Sequence, residues 1–512
     1  MIAYAWVGFI VYLVMCALGE MAAWLPLPSG FTGYAVRFCD PALGFTLGWT
    51  CVQSPQVWAF HDSMLTEKLS RYWFKYIILT PNQLTAGALV ISYWLPQDKV
   101  NAGVWITVLL ICIVCINYFG VRFFGEFEFW LSSFKVIVIL GIILLSFILM
   151  LGGGPDHDRR GFRYWKSPGA FNHYIMEGDA GRFLAFWSTM VSATFAYLGT
   201  ELVGVTVGEA QNPRRAIPRA IKLTFWRILV FYVLSVLLVG TLVPYNDPKL
   251  PYNNTKFSKS SSSAAASPFV VAIENSGIPV LSHILNACIL LFVFSASNSD
   301  LYIATRTIYG LAREGKAPKI FARTDRRGVP VFALAICSCI ALIAYMNVTS
   351  DSQVVFKYFV NLVTIFGLLT WVSILVTHIY FVRARRAQNV PDSDLAYVAP
   401  FGIYGSYLAL AFCVLIVFTK NYDVFTHSKK WGKFDYKNFI TAYLGIPLYL
   451  ILIFGYKFAT KCKGVKPETA DLWTGKDQID REEAAFIAQH NAEMEKNAGS
   501  HWFYRKFVSW LF

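Results

Sequence analysis

Glu201 is the first residue whose position suggests a chemical role. It lies in an apolar segment, Phe186–Gly208, that glycines interrupt at positions 199, 204 and 208. Ionisable side chains at membrane depth are costly and usually face a cavity or a partner. Helix breaks at that depth expose backbone N–H and C=O groups that can hold the charged ends of a small molecule. The alternative is a close-packed helix whose Glu pairs with a basic residue.

Lys135 is the second such residue, because it stands inside the apolar run "FWLSSFKVIVIL". A lysine held out of water can exchange a proton near neutral pH, so this position indicates proton transfer. The alternative is a lysine whose long stem lets the ammonium group reach the membrane surface. The residue types leave both interpretations open.

Uncharged polar residues lie in two other apolar segments. Gln83 and Thr85 follow a Pro-Asn break in "YIILTPNQLTAGALV", and Ser295 and Asn298 belong to "SASNSD". Polar side chains inside membrane helices usually face the bundle interior, where they line a pathway or bind a neighbour. They strengthen the case for a transport pathway.

The elements that position these residues are long apolar helices. Hydrophobic residues make up 56% of the 512-residue chain and charged residues only 15%, against about a quarter in soluble proteins. The apolar residues fall in blocks of about 18 to 25, the length that a helix needs to cross a bilayer. We therefore predict an all-α polytopic membrane protein with about eleven spans, at 2–24, 73–94, 103–119, 131–152, 184–207, 223–243, 280–303, 329–346, 355–382, 400–419 and 438–459.

Charge and cysteine usage exclude other classes. The net charge of +14 is concentrated in short loops between spans, as membrane topology predicts, and does not indicate nucleic-acid binding. The CxxC at Cys112 and Cys115 lies in an apolar span and is interpreted as buried apolar cysteine, with no metal or cofactor site. His283 and His378 are interpreted as standing alone, so no enzyme is predicted. The dense basic loops place the tail 460–512 in the cytoplasm.

Four ordered segments together resemble the fungal amino acid permeases of the amino acid–polyamine–organocation superfamily. They are "ALGEMAAWLPLPSGFTGYAVRFCDPALGFTLGW", "INYFGVRFFGEFEFWLSSFKVIVILG", "FAYLGTELVGVTVGEAQNPRRAIPRAIK" and "SASNSDLYIATRTIYGLAREGKAPKIF". The resemblance covers residues 1–459, the expected permease domain. Within the family, "YIILTPNQLTAGALVISYW" and "LGGGPDHDRRGFRYWKSPGAF" look most like the dicarboxylic amino acid permease branch, which imports glutamate and aspartate.

The resemblance implies a five-plus-five inverted-repeat fold with two further helices. Substrate is expected between two broken helices, the second of them interrupted at Leu198–Thr200, where free carbonyls receive its ammonium group. It also implies that Lys135 carries proton coupling, with Glu201 as a second coupling group. The expected substrate-binding residues are Gln83, Thr85, Phe195 as the aromatic gate, Ala196, Tyr197, Leu198, Gly199, Thr200, Ser295 and Asn298.

Two departures from the family pattern stand out. The family has twelve spans and an N-terminal tail, whereas this chain begins within the expected second helix, so the first helix and its glycine-rich break are expected to be missing. The family also continues directly from Trp49–Thr50 to Tyr72, so residues 51–71 form an extra segment, interpreted as an unspliced intron rather than a real loop. The chain as written is therefore expected not to transport.

The sequence thus predicts a proton-coupled plasma-membrane importer of acidic amino acids, with an amino acid, a proton and the lipid bilayer as its partners. Lys75 is one candidate partner for a substrate carboxylate. The alternative is a sensor that binds amino acids through a permease fold and signals without transporting them.

Overall fold

Helices form all of the regular structure that is described. The computed structural model describes residues 1–27, 30–48, 73–95, 99–119, 121–202, 213–250, 267–313, 318–325, 328–348, 352–425, 434 and 436–496, and these contain no strand. The helices α1 to α18, joined in places by short 3-10 and π segments, are Ile2–Trp24, Gly30–Tyr34, Pro41–Gly48, Trp73–Ile91, Ala102–Phe119, Val121–Met150, Gly178–Ser188, Met190–Tyr197, Pro213–Arg227, Ser235–Leu242, Pro268–Glu274, Pro279–Arg313, Val331–Ala341, Ser352–Ala387, Gly402–Thr419, Tyr436–Tyr443, Gly445–Thr460 and Lys476–Lys496.

Several of the described helices are candidate membrane spans. Seven of the described helical units are long and apolar enough to cross a bilayer: α1, α5, α6, α9–α10, α12, α14 and α15. The pair α16–α17, bent by 42°, makes an eighth, and Ile78–Ile91 and Val331–Met346 are shorter apolar helices. The all-helical, multi-pass architecture predicted from hydropathy is confirmed. Each of the eleven predicted segments contains helix, but breaks and bends leave several of them short of an uninterrupted span.

Two helices form the centre of the bundle. In the most apolar window of α14, 78% of the residues are buried, and in that of α1, 67%. In α6 only 11% are buried, and large apolar side chains such as Trp130 and Ile137 point outward, which is what a lipid-facing helix requires. Cys112 and Cys115 also lie on an exposed face, of α5, so the prediction that they are buried was wrong.

Helix contacts place the polar segments around α14. Helix α4 packs against both α12 and α14, while α8 packs against α1 and α14. Helix α12 also contacts α5 and α6. The side chains predicted to bind substrate therefore lie on helices that are linked through α4, which contacts both α12 and α14.

The segment after α17 packs along one end of the bundle. Lys461 follows α17 in a left-handed conformation, with φ of 51°. Beyond it, Trp24 Nε1 donates to the Leu472 carbonyl at 3.0 Å, and Arg37 Nη2 lies 2.6 Å from Asp471 Oδ2. Arg214 contacts Asp480 and Glu483 of α18. This docked tail, residues 461–496, belongs to the predicted cytoplasmic tail; residues 497–512 and the predicted insert 51–71 lie outside the described residues.

Candidate substrate and proton site

A break in the chain follows α8. The helix ends at Tyr197, Leu198 is extended with φ of −62° and ψ of 139°, and a 3-10 turn begins at Thr200. Gly199 has φ of +98°, a conformation that glycine adopts without the steric cost of a Cβ. The predicted interruption at Leu198–Thr200 is thus present, and the glycine at 199 is what allows the chain to turn there.

Side chains hold the polar groups of this break. Glu201, which is fully buried, accepts a hydrogen bond on Oε2 from the Gly199 N–H at 3.0 Å. Trp371 Nε1 of α14 donates to the same oxygen at 3.3 Å. The Thr200 hydroxyl donates to the Tyr197 carbonyl at 3.1 Å. The break is therefore a defined structure in which a buried carboxylate is held against α14.

The remaining residues of the predicted site differ in what their side chains contact. Phe195 is half-buried and meets Phe356 of α14 edge to face, with ring centroids 6.4 Å apart. Leu198 packs so closely on Gly367 of α14 that a Cβ there would lie 2.1 Å from a Leu198 methyl carbon. The half-buried Ala196 adds only a methyl group. These contacts place one wall of the break on α14.

Tyr197 points away from this wall. Its hydroxyl donates to the Tyr4 carbonyl of α1 at 2.9 Å, and its ring lies 4.6 Å from that of Tyr232. The side chain is therefore committed to the packing of α1 and the segment between α9 and α10. Within the predicted site, Tyr197 can offer its backbone but not its ring.

Helix α4 carries Gln83 and Thr85 close to both α12 and α14. Gln83 is half-buried, and the buried Thr85 donates to the Pro81 carbonyl of its own helix at 2.8 Å. Asn82, between the proline and Gln83, is fully buried, and within the part of the chain that the structure describes neither of its amide atoms has a hydrogen-bond partner. Buried amides are normally satisfied, so Asn82 marks a polar position that the sequence analysis missed. The side chain of Lys75, on the same helix, is outside the described residues.

Lys135 and Ser295 meet between α6 and α12. Lys135 Nζ donates to the Ser295 hydroxyl at 2.6 Å, and it lies 3.3 Å from Glu128 Oε1. The Ser295 hydroxyl donates in turn to the Glu128 carboxylate, at 2.8 Å to Oε1 and 2.7 Å to Oε2. We call Glu128, Lys135 and Ser295 the α6 cluster. Glu128 was missed in the sequence, although its spacing of seven residues from Lys135, about two turns, puts both on one helix face.

Asn298 continues the polar face of α12, three residues after Ser295. Its side-chain oxygen accepts from Asn117 Nδ2 of α5 at 2.9 Å, and its own Nδ2 is buried without a hydrogen-bond partner among the described residues. Helix α12 is thus joined to α6 through Ser295 and to α5 through Asn298. Asn117 was a third residue that the sequence analysis missed, since a lone Asn in an apolar span gives no signal of its partner.

The structure sorts the predicted residues into two groups. Residues 195–201 lie against α1 and α14, whereas Lys135, Ser295 and Asn298 lie between α5, α6 and α12. Gln83 and Thr85 belong to α4, which touches both α12 and α14. Lys135 and Glu201, the two predicted coupling groups, therefore have different partners. Over the described part of the chain, no group of three or more His, Cys, Asp or Glu side chains could hold a metal ion.

A second ionic cluster lies in the core. Glu20 of α1 receives the Ala399 N–H at 2.9 Å and lies 3.3 Å from His378 Nε2 and 3.4 Å from Arg385 Nη2, both on α14. All three side chains are at most 4% exposed. We call Glu20, His378 and Arg385 the buried cluster. The interpretation of His378 as an isolated residue was wrong, because its ionic partner is 358 residues away in sequence; His283 likewise accepts from Trp94 Nε1 at 3.0 Å.

Comparison with known proteins identifies the family to which this chain belongs. A family model described as amino acid permease matches residues 1–466. The chain is 53% identical to the dicarboxylic amino acid permease of Saccharomyces cerevisiae, covering 100% of this chain and 80% of that protein. It is 37% identical to the proline-specific permease of Emericella nidulans (94% of this chain, 82% of that one) and 36% identical to the lysine-specific permease of S. cerevisiae (94% and 73%). The chain belongs to the amino acid permease family, whose members are transporters rather than enzymes.

Proposed function

We propose that this protein imports acidic amino acids, glutamate and aspartate, across the plasma membrane together with protons. Membership of the permease family supports an amino acid as the substrate. The acidic class is supported by the 53% identity to a dicarboxylic amino acid permease. Relatives named for proline and lysine are only 37% and 36% identical, so the choice of substrate is the finer part of the proposal.

The observation that carries the proposal is the interrupted helix after α8. Gly199, with φ of +98°, breaks the chain beside α14, and Glu201 is fixed by the N–H of Gly199 and the indole of Trp371. A break of this kind supplies backbone dipoles for the charged ends of an amino acid. In our proposal the residues 195–200 contribute the binding wall, Tyr197 through its backbone, and Gln83, Thr85, Ser295 and Asn298 line the opposite side.

Proton coupling is assigned to Lys135, with Glu201 as a second coupling group. Lys135 is 29% exposed and contacts both a hydroxyl and a carboxylate, which stabilise its ammonium group. Glu201 is completely buried and is held by the backbone of the break and by α14. In our proposal Lys135 is therefore the principal coupling group.

The test is radiolabelled glutamate uptake in a yeast host that lacks its own amino acid permeases. One arm expresses the 512-residue chain. The second arm expresses a chimera that carries the N-terminal segment of the S. cerevisiae relative and omits residues 51–71. We expect uptake in the chimera and none in the 512-residue chain. Uptake by both chains would refute the expected inactivity but uphold the function.

Competition and proton flux test the finer claims. Unlabelled aspartate should suppress uptake, whereas proline and lysine should not, and glutamate addition should raise the pH of the medium. Lys135→Met should abolish the pH rise, while Lys319→Met, at an exposed lysine outside the apolar helices, should leave it unchanged. Uptake that prefers proline or lysine, or that proceeds without proton flux, would overturn the corresponding part of the proposal.

The same two chains test the cellular location of the protein and whether it is a sensor that binds amino acids without transporting them. A C-terminal epitope should be found at the plasma membrane and be accessible to antibody only after the cells are permeabilised. A protein that binds glutamate in detergent, measured as thermal stabilisation, but transports no amino acid in either arm would support the sensor interpretation instead.

A further inference from the structure

Glu128 is the residue that joins the two other members of the α6 cluster. It lies about two turns before Lys135 on α6, so the two side chains leave the helix on one face and the flexible lysine bends back toward it. The Lys135 ammonium reaches Glu128 Oε1 at 3.3 Å, and Ser132, one turn from Glu128, donates to the same oxygen at 3.2 Å. Two side chains of α6 itself thus hold the Glu128 carboxylate, in addition to its contact with Ser295 of α12.

The hydrogen bonds of Ser295 form a chain in which it accepts from Lys135 and donates to Glu128. A serine hydroxyl has a single proton, and here it points to the Glu128 carboxylate, at 2.8 Å and 2.7 Å from its two oxygens. Its lone pairs are then free to accept the Lys135 ammonium at 2.6 Å. In this chain the Lys135 ammonium donates, the Ser295 hydroxyl accepts and donates, and the Glu128 carboxylate accepts.

Other titratable and charged groups lie on the elements packed against α6. Those whose side chains the structure describes are Cys112, Cys115 and Tyr118 on α5, Tyr232 before α10, and His283, Cys288, Asp300, Tyr302, Arg306 and Tyr309 on α12. Among the described residues, the salt bridge of Lys135 is made with Glu128, and none of these groups lies within ion-pair distance of it. Glu128 is therefore the countercharge that acts on Lys135 across the α6–α12 contact.

We propose that Glu128 is a positioning residue for proton coupling: through Ser295 it holds the Lys135 ammonium against α12 and favours its protonated form. The inference rests on the proposed function of Lys135 as the coupling group. When Lys135 takes up a proton from water, a new N–H bond forms and the cluster becomes an ion pair with no net charge. When that bond breaks, the proton leaves to water and the cluster keeps the single negative charge of Glu128.

The first test compares the pH profile of glutamate uptake in wild type, Glu128→Gln and Glu126→Gln. The matched control, Glu126, is an exposed glutamate on the same helix, two residues earlier. Removing the countercharge disfavours the ammonium, so the profile of E128Q should move about half a pH unit toward acid, roughly a threefold higher proton activity. E126Q should follow the wild-type profile. An E128Q profile that is lower in amplitude but unshifted would overturn the proposal.

A second measurement does not need transport, and so separates this inference from the proposed function. Thermal unfolding in detergent is recorded for E128Q, Lys135→Met and the double variant. If Glu128 acts on Lys135, each single variant leaves an unpaired charge, and the double variant should be more stable than the sum of the two single changes predicts. Strictly additive shifts in unfolding temperature would refute the pairing, whether or not the wild-type chain transports an amino acid.

Discussion

Each of the two ionic clusters of this protein pairs a glutamate with at least one basic side chain, but the clusters differ in how completely they are enclosed. The buried cluster is at most 4% exposed, and its members also contact the Ala399 N–H, Ser406 and Asp392. In the α6 cluster, the side chains of Lys135 and Glu128 are 29% and 22% exposed. One cluster is thus held from many sides, and the other is only partly covered by the rest of the protein.

This difference in enclosure indicates different roles for the two clusters. The buried cluster contributes to stability, and the α6 cluster contributes, in our proposal, to proton exchange. A buried ion pair that loses a member leaves an uncompensated charge in a medium of low dielectric, so its charges are best left unchanged. A partly exposed pair leaves less uncompensated charge in the core when one member is lost, so we expect it to contribute less to stability. The buried cluster therefore joins α1 to α14, whereas the α6 cluster is the one to which we assign the coupled proton in our proposal.

The largest effect is expected from Glu20→Ala. It leaves Arg385 and His378 without their carboxylate in the core, which should lower the free energy of unfolding by about 3–5 kcal/mol. Detergent unfolding curves followed by size exclusion give the measurement. Ser406→Ala is the control, since it removes a neutral hydrogen bond to His378 worth about 1 kcal/mol. Equal stability of E20A and wild type would contradict the structural role of the buried cluster.

A smaller effect is expected where the docked tail meets α9. Arg214→Ala removes partly exposed ion pairs with Asp480 and Glu483, which should cost about 1 kcal/mol and make α18 more accessible to protease. Protease cleavage of α18, followed over time, is the measurement. Unchanged cleavage would show that these contacts do not hold the tail.

The docked tail should not respond to physiological pH. Burial opposes the ionisation of Asp480, but Arg214 and Lys476 outweigh it and lower its pKa. A lowered carboxyl pKa stabilises docking above the unfolded value of about 3.9, and this stabilisation is lost as the pH falls through the folded value. Protease cleavage of α18 should therefore be constant between about pH 5 and pH 8. A change within that range would mean that another group controls docking.

Glu128→Gln should have a still smaller effect on stability. Because the pair with Lys135 is partly exposed, we expect a loss below about 1 kcal/mol in the free energy of unfolding. The same unfolding assay as for E20A measures it, so the two clusters are compared directly. A loss as large as that of E20A would remove the distinction between them.

The smallest effect is expected at Asp158, which pairs with Arg163 outside the apolar helices, at 2.5 Å and with both side chains at least 40% exposed. Asp158→Asn should leave the unfolding temperature and uptake unchanged, since exposed ion pairs contribute little. A marked loss in either assay would show that the loop between α6 and α7 has a role beyond connection.

Local features of the fold could be predicted from the sequence. Apolar length located the long helices, and the resemblance to the permeases located the break, where Gly199 adopts a φ of +98° without the steric cost of a Cβ. Hydropathy could not predict whether an apolar segment forms one uninterrupted helix, because the bend of 42° between α16 and α17 depends on tertiary packing.

The contacts that side chains make across the bundle could not be predicted from the sequence. Lys135 was recognised as an ionisable group at depth, but its contact with Ser295 joins helices 160 residues apart. Glu128 was within reach through its helical spacing, whereas the pairing of Glu20 with His378 required the packing of α1 on α14. Tyr197 shows the same limit, since its ring faces α1 although its neighbours face α14.

The most direct test of the central claim is accumulation driven by a pH gradient in proteoliposomes that contain the transport-active chain. The account predicts that Lys135→Met abolishes accumulation of labelled glutamate above its external concentration but retains exchange of external for internal glutamate. Gradient-driven accumulation by K135M at the wild-type level would contradict the claim that the α6 cluster carries the coupled proton.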